Sequence, residues 1–381
     1  MSTQGVTAGP PTAGPLTAGR EDGAPVARWP RVTSIATAVP PHKFAQEEIM
    51  NYLAGTTLGR SVTGAAMLRQ IQTNAGVSTR YFARPLDELR GLTDFTDSNR
   101  AWLESALEIG EQVLTEALDS AGVRPEDVDA VISTTVTGVV VPSIEARLAH
   151  RMGMRPDVRR IPLFGNGCAG GAAGLARLRE YLLGHPDHTA VLLSVELCSL
   201  PYQMEDTSMA NIVAGSLFGD GAAAVVATGA NRGRVGSGPE LVDSLSYLVP
   251  GTEDVLGWDI GSHGLRILLA PEVPELTAEY LPKAAHTLLD RHAITPPEIA
   301  TWIVHGGGPK VMTAFEQAMD LSPQALDPTR ESLSDKGNLS SASVLHVLHS
   351  AIASGPPPPG APGLIAAMGP GFAIELALAR W

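Results

Sequence analysis

Three residues carry side chains suited to acyl chemistry and stand among neighbours that leave them room to react. Cys168 lies in "FGNGCAGGAAGLARL" (164–178), between a hydrophobic run and a helical pattern. His305 ends the β-branched run of "IVHGGGPKV" (303–311), and Asn338 follows a glycine in "SDKGNLSSASVLHVL" (334–348). Each also has a plainer reading. A free cysteine is usually an inert small hydrophobe, a histidine at a strand end is commonly structural, and an asparagine before a helix is a good N-cap. Taken together they suit one reaction type. A Cys–His pair supplies an activated nucleophile, and an Asn amide beside a His N–H can donate hydrogen bonds to an oxyanion or enolate. Carboxylates are absent from the three motif cores, which argues against hydrolysis through paired acids.

The elements around these residues follow from spacing. Leu175, Leu178 and Leu182 fall on one helix face, so Cys168 sits at or just before a helix N-terminus. The partial positive charge there favours a thiolate, and a nearby imidazolium would favour it further. Gly165, Gly167, Gly170 and Gly171 are expected to allow a tight turn and to leave space for a ligand. The three glycines after His305 keep the space beside its ring open.

The chain also resembles itself. Residues 109–135 run from a helical pattern through a Pro-Glu break to a short β-branched run, and residues 280–307 repeat that order. "AVLLSVE" (190–196) leads to "FGDGAAAVVAT" (218–228), as "LIAAM" (364–368) leads to "GPGFAIELALA" (369–379). Runs apolar at nearly every position suit strands buried on both faces. We therefore expect an α/β protein of two similar halves, a duplicated five-layer αβαβα arrangement with helices sandwiched between two sheets. Cys168 follows Thr134 by 34 residues, and Asn338 follows His305, the counterpart of Thr134, by 33. The reactive residues thus fall at nearly equivalent places, where paired halves converge.

Composition narrows the partners. The 381 residues are 44% hydrophobic and 18% charged, as in a soluble globular protein, with a net charge of −13 that lacks the basic footprint of a nucleic-acid binder. The two cysteines, Cys168 and Cys198, fit a reducing cytosol better than a disulfide framework. No apolar run has membrane-spanning length, and no secretory pattern opens the chain. Residues 1–29, with Thr-Ala-Gly repeated among Pro and Gly, are expected to be a disordered extension. The remainder divides into an N-terminal half (30–235) holding the cysteine and a C-terminal half (236–381) holding His305 and Asn338. "SGPPPPGAPG" (354–363) reads as a loop outside the sheet.

Five motifs in order, "GNGCAGGAAGL", "LFGDGAAAVV", "VHGGGPKV", "GNLSSASV" and "MGPGFAIELALARW", resemble the type III polyketide synthases, the chalcone synthase-like family, in its bacterial branch. The likeness runs from about residue 31 to 381. It implies the thiolase fold, a homodimer in the cytoplasm, and iterative condensation of malonyl-CoA onto an acyl-CoA starter, with no metal and no cofactor beyond the coenzyme A thioesters. Cys168 would carry the acyl chain as a thiolate paired with His305, while His305 and Asn338 bind the malonyl carbonyl. Phe218 matches the aromatic at the junction of tunnel and cavity, and Gly369, Pro370 and Gly371 match the loop that shapes the cavity. Cys198, Pro201, Trp258 and Ile267 would line it. Ile267, Trp258 and Pro201 replace a phenylalanine, a glycine and a threonine of the plant enzymes, which points to an aliphatic starter. Arg69, Arg80 and Lys310 are the basic residues near the expected coenzyme A entrance. A ketoacyl-ACP synthase of the initiating type would use the same three residue types for one condensation, and a non-catalytic acyl-binding subunit would share the fold. A papain-like protease would share the residue types alone.

Overall fold

The computed structural model describes residues 29–55, 62–232, 236 and 238–381. The extension expected at 1–29 therefore lies, apart from Trp29, outside the described residues. The continuous apolar runs form β6 (Thr189–Leu197) and β7 (Asp220–Thr228), which pair antiparallel and are buried at every position. In the second half β12 (Pro362–Gly369) and β13 (Ala373–Arg380) pair in the same way. β4 (Ala130–Thr134) runs parallel to β6, as β11 (Thr301–Val304) runs parallel to β12. β1 (Arg31–Ala38) is antiparallel to β7, as β8 (Glu240–Leu248) is to β13. The first half adds one edge strand, β5 (Arg159–Leu163), parallel to β4.

Among the described residues the halves pair edge to edge at Arg31 with Glu240, flanked by backbone bonds from Val32 N to Pro239 O and from Leu241 N to Pro30 O, so the strands read β11-β12-β13-β8-β1-β7-β6-β4-β5 across the sheet. An ion pair of 3.2 Å crosses that seam between the same two side chains.

Helices complete the layers. α4 (Phe95–Ala121) and α5 (Ile144–Arg151) cover the outer face of the first half. Asp94 caps α4 by accepting from the Asp97 N–H at 2.9 Å, and Gly122 ends it in the left-handed conformation at φ 64°. α8 (Val273–Leu289) and α9 (Pro309–Met319) cover the outer face of the second half. Between the halves lie α6 (Gly170–Gly184) and α11 (Ser341–Ala353), each touching strands of both. Their apolar faces share one core with Ile132, Leu192, Ile303 and Ile365. This is the expected αβαβα order, and the proline-rich stretch connects α11 to β12, although its last two residues, Pro362 and Gly363, already pair within the sheet as the start of β12.

The remaining elements supply walls rather than layers. α1 (Gln46–Ala54), α2 (Val62–Asn74), α3 (Leu86–Leu89), α7 (Met209–Leu217) and α10 (Asp327–Lys336) join two small antiparallel pairs. One pair is β2 (His42–Ala45) with β3 (Thr79–Phe82). The other is the hairpin β9 (Leu256–Gly261) and β10 (Gly264–Leu269), which sets Trp258 opposite Ile267. Among the described residues, no helix is long and apolar enough to cross a membrane.

Candidate active site

Cys168 occupies a single 3₁₀ turn, Gly167–Ala169, directly before α6. Gly167 enters that turn at φ 49°, where L side chains are strained. The glycines that follow serve a different purpose from the one expected. A Cβ on Gly170 would stand 2.3 Å from Thr134 Oγ1, and one on Gly171 would stand 2.3 Å from the Ser341 carbonyl oxygen. They make room for β4 and α11, not for an acyl chain. Close packing of the two central helices is what fixes the cysteine's position.

His305 lies one residue past β11, with its backbone N–H donating to the Ala366 carbonyl at 2.9 Å. Asn338 bridges α10 and α11. Its backbone N–H donates to Leu217 O at 2.8 Å and its carbonyl accepts from Gly219 N at 3.0 Å, so it straddles Phe218. The Asn338 side chain accepts from the Ser340 N–H at 2.8 Å, and its amide reaches the Gly307 carbonyl at 3.5 Å. Asn338 is not the N-cap of α11, a position held by Ser340. The amide is thus oriented by backbone and left near the mouth of the glycine run.

Cys168, His305 and Asn338 line one cavity of about 590 Å³, together with Phe218, Leu217 and Lys310. Cys168, Phe218 and Leu256 also border a second, smaller chamber of about 80 Å³. Cys198, Pro201, Trp258, Ile267 and Pro370 all line this chamber. Gly369 and Gly371 do not. A Cβ on Gly369 would meet Ala169 N and Asn166 O at 2.6 Å, so this glycine seats the Cys168 turn against β12. Gly371, at φ 136°, packs beneath Leu248.

The basic residues separate sharply. Lys310 is exposed and lines the larger cavity. Arg69 is exposed on α2 but is not in the cavity wall. Arg80 cannot meet a coenzyme at an entrance, because only 1% of it is exposed. Its Nε donates to Gln46 Oε1 at 3.0 Å, and its Nη1 donates to the carbonyls of Gly215 and Phe218 at 2.7 and 2.9 Å. A buried guanidinium is tolerated where acceptors satisfy it in this way.

Burial also acts against charge on Cys168 and His305. Cys168 is 8% exposed, and its side chain meets Ser340 Oγ at 3.7 Å. Burial pushes the thiol up to about 12, outweighing the lowering by Ser340, and the nearby Glu196 adds to the rise. Burial pushes His305 down to about 4, and its Nδ1 has no partner among the described residues. Desolvation penalises both charged forms and so works against the expected thiolate–imidazolium pair.

Sequence reasoning missed Glu196, which is fully buried on β6. Its carboxylate accepts from Ser341 Oγ at 2.5 Å, Thr137 Oγ1 at 3.1 Å, Val136 N at 3.2 Å and Ser340 Oγ at 3.4 Å. Burial raises it to about 7 against those hydrogen bonds. Ser340 thereby links Cys168 to a buried carboxyl. The available signal was an acidic residue inside an otherwise apolar strand run.

Family profiles described as "Chalcone and stilbene synthases" match the chain twice, the N-terminal domain over residues 26–231 and the C-terminal domain over 240–380. The chain belongs to this family. It is 49% identical to the 1,3,6,8-tetrahydroxynaphthalene synthase of Streptomyces peucetius, over 93% of this chain and 94% of that enzyme. It is 27% identical to the phloroglucinol synthase of Pseudomonas fluorescens, over 90% and 96%. The crystal structure of the tetrahydroxynaphthalene synthase of Streptomyces coelicolor, a bacterial type III polyketide synthase, superposes with a TM-score of 0.87. It shares 30% identity and covers 92% of this chain and 99% of that one. The protein is a type III polyketide synthase with the thiolase fold, an acyl-transferring enzyme.

Proposed function

We propose that Cys168 carries the starter and the growing chain, and that His305 and Asn338 activate malonyl-CoA. The observation that carries this reading is that the three side chains, from both halves, border one cavity. The neutral imidazole of His305 accepts the Cys168 proton as sulfur attacks the starter thioester. The C–S bond to coenzyme A breaks, and the departing thiolate receives that proton. Malonyl-CoA then loses CO2 while the His305 and Asn338 N–H groups hold its thioester oxygen, which bears the enolate charge. The enolate carbon attacks the acyl group on Cys168 and the Cys168–acyl bond breaks; the released thiolate then attacks the thioester carbonyl of the lengthened chain, and coenzyme A departs as a thiolate that takes a proton from solvent.

The starter on this reading is an aliphatic acyl group. Ile49, Leu53, Leu86, Leu89 and Ile267 give the small chamber apolar walls, and Trp258 and Phe218 line it as well. The limited volume and the 49% identity to a tetrahydroxynaphthalene synthase favour a second reading, in which malonyl units alone build the same kind of ring. Cyclisation gives a pyrone, resorcinol or related ring. The halves 30–235 and 236–381 act as one unit, and the enzyme works in the cytoplasm on coenzyme A thioesters without a further cofactor. It pairs as a homodimer along β5, the sheet edge, where Phe164, Val139 and Val141 are exposed beyond the ends of β5 and β4.

The test is a product assay with malonyl-CoA, alone and with starters from acetyl-CoA through fatty acyl to aromatic thioesters, read by mass spectrometry beside Cys168→Ala. Products extended by two or more units, absent from the variant, support the reading and name the starter. No extension with any coenzyme A thioester, but one condensation with malonyl-ACP, moves the protein to the ketoacyl-ACP synthase type.

A further inference from the structure

A chain built by repeated malonyl condensation carries an oxygen at every second carbon, so a chamber that holds it must also hold those oxygens. The inner chamber offers few open donors. Ser199 is engaged by Asp220, Thr137 by Glu196, and Asn211 by the carbonyls of Gln203 and Asp206. Two lining residues, Arg80 and Tyr52, hold a polar atom that is buried without a partner among the described residues. Arg80 is 1% exposed and its fork is fixed by three acceptors through Nε and Nη1, while its Nη2 is buried without a partner among the described residues. Tyr52, on α1, has its hydroxyl buried without a partner among the described residues as well. Both border the chamber that Cys168 opens into.

We infer that Arg80 Nη2 and the Tyr52 hydroxyl form a recognition subsite for oxygens of the growing poly-β-ketone chain. The inference rests on the synthase reading and adds to it a residue-level account of chain length and folding. A guanidinium pinned on two nitrogens presents the third in a fixed direction, which suits a ketone or enolate oxygen better than a flexible cation would. Holding such an oxygen keeps the chain extended until its length is complete, so the subsite acts on what is released rather than on loading. Arg80 also fixes the carbonyl of Phe218, and its removal disturbs that wall. Tyr52 offers the cleaner probe, since replacing its hydroxyl breaks no protein hydrogen bond seen among the described residues.

The experiment compares wild type, Tyr52→Phe and Arg80→Lys with malonyl-CoA and the preferred starter. Two quantities are read: the ratio of full-length ring to shorter pyrone products, and the single-turnover rate of Cys168 acylation by intact mass. The full-length share should fall relative to the acylation rate by about threefold in Tyr52→Phe and about tenfold in Arg80→Lys, as expected for losing a neutral and a charge-assisted hydrogen bond. Equal falls in both readouts, or an unchanged ratio in Tyr52→Phe, overturn the subsite. Tyr52→Phe alone decides if Arg80→Lys does not fold. A wild-type enzyme that extends nothing refutes the synthase reading itself, and the subsite with it.

Discussion

Replacing Gly171 with alanine tests whether helix contact, not ligand space, fixes the position of Cys168. The new Cβ would stand 2.3 Å from the Ser341 carbonyl oxygen, 2.6 Å from Val344 Cγ1 and 3.4 Å from Leu345 Cγ. Ordinary contact begins at 3.4 Å, so α6 and α11 must part by about 1 Å. Neither can retreat freely. Leu175, Leu178 and Leu182 of α6 are fully buried, and each helix is backed by strands of both halves. Alanine gains up to about 1 kcal/mol of helix propensity over glycine, while overpacking costs about 1–3 kcal/mol. The worst clash is with backbone, which cannot rotate away, so a net loss of about 1–2 kcal/mol is expected.

Gly184→Ala, at the other end of α6, is the matched control because nothing lies within 4 Å of its Cβ. Urea unfolding of the three proteins side by side should place Gly171→Ala below wild type and Gly184→Ala at or above it. Cys168 lies three residues upstream of Gly171 and must move with it, so acylation should slow by up to about 10²-fold. A Gly171→Ala protein with wild-type midpoint and wild-type acylation would refute the argument that helix contact sets the position of Cys168.

Glu196 takes up its proton more tightly when folded, rising from 4.5 to about 7. Its stabilisation is full below pH 4.5 and lost as pH rises through 7. Over that window Glu196→Gln should gain on wild type by about 3 kcal/mol in unfolding free energy, and parallel stability curves would sink the assignment. Ile267→Ala enlarges the small chamber and should shift starter preference towards longer chains in the product assay, with Ile267→Phe doing the reverse. Lys310→Ala removes the one cation lining the outer cavity among the described residues. The KM for malonyl-CoA should rise about threefold at low salt with kcat little changed, and a salt-independent KM identical to wild type would remove Lys310 from the entrance.

What could be read in the sequence was what is local or periodic. β6 and β7 announce themselves because strands covered on both faces need apolar residues at every position. The cysteine's place before α6 follows from the leucine spacing alone. Arg80 was misread because an arginine in sequence carries no mark of the carbonyls that will surround it. The Gly215 and Phe218 oxygens that bury it lie more than 130 residues away. The glycines after Cys168 were misread for a related reason. Small residues signal a close approach, but only the fold says whether protein or ligand makes it.

The repeat explains why one frame can hold an asymmetric reaction. Thr134 ends β4 as His305 follows β11, and Cys168 precedes α6 as Asn338 precedes α11. At the first strand end, Thr134 is pressed against Gly170 and spends the free space on packing. At the second, Gly306, Gly307 and Gly308 follow His305, and its ring borders the cavity instead. The condensation needs a covalent anchor for one partner and hydrogen-bond donors for the other, and it needs both at the same depth. Two equivalent helix starts, packed so closely that only glycine fits between them, provide matched positions. On the proposed reading, different side chains at those positions divide the chemistry, with sulfur from one half and N–H donors from the other.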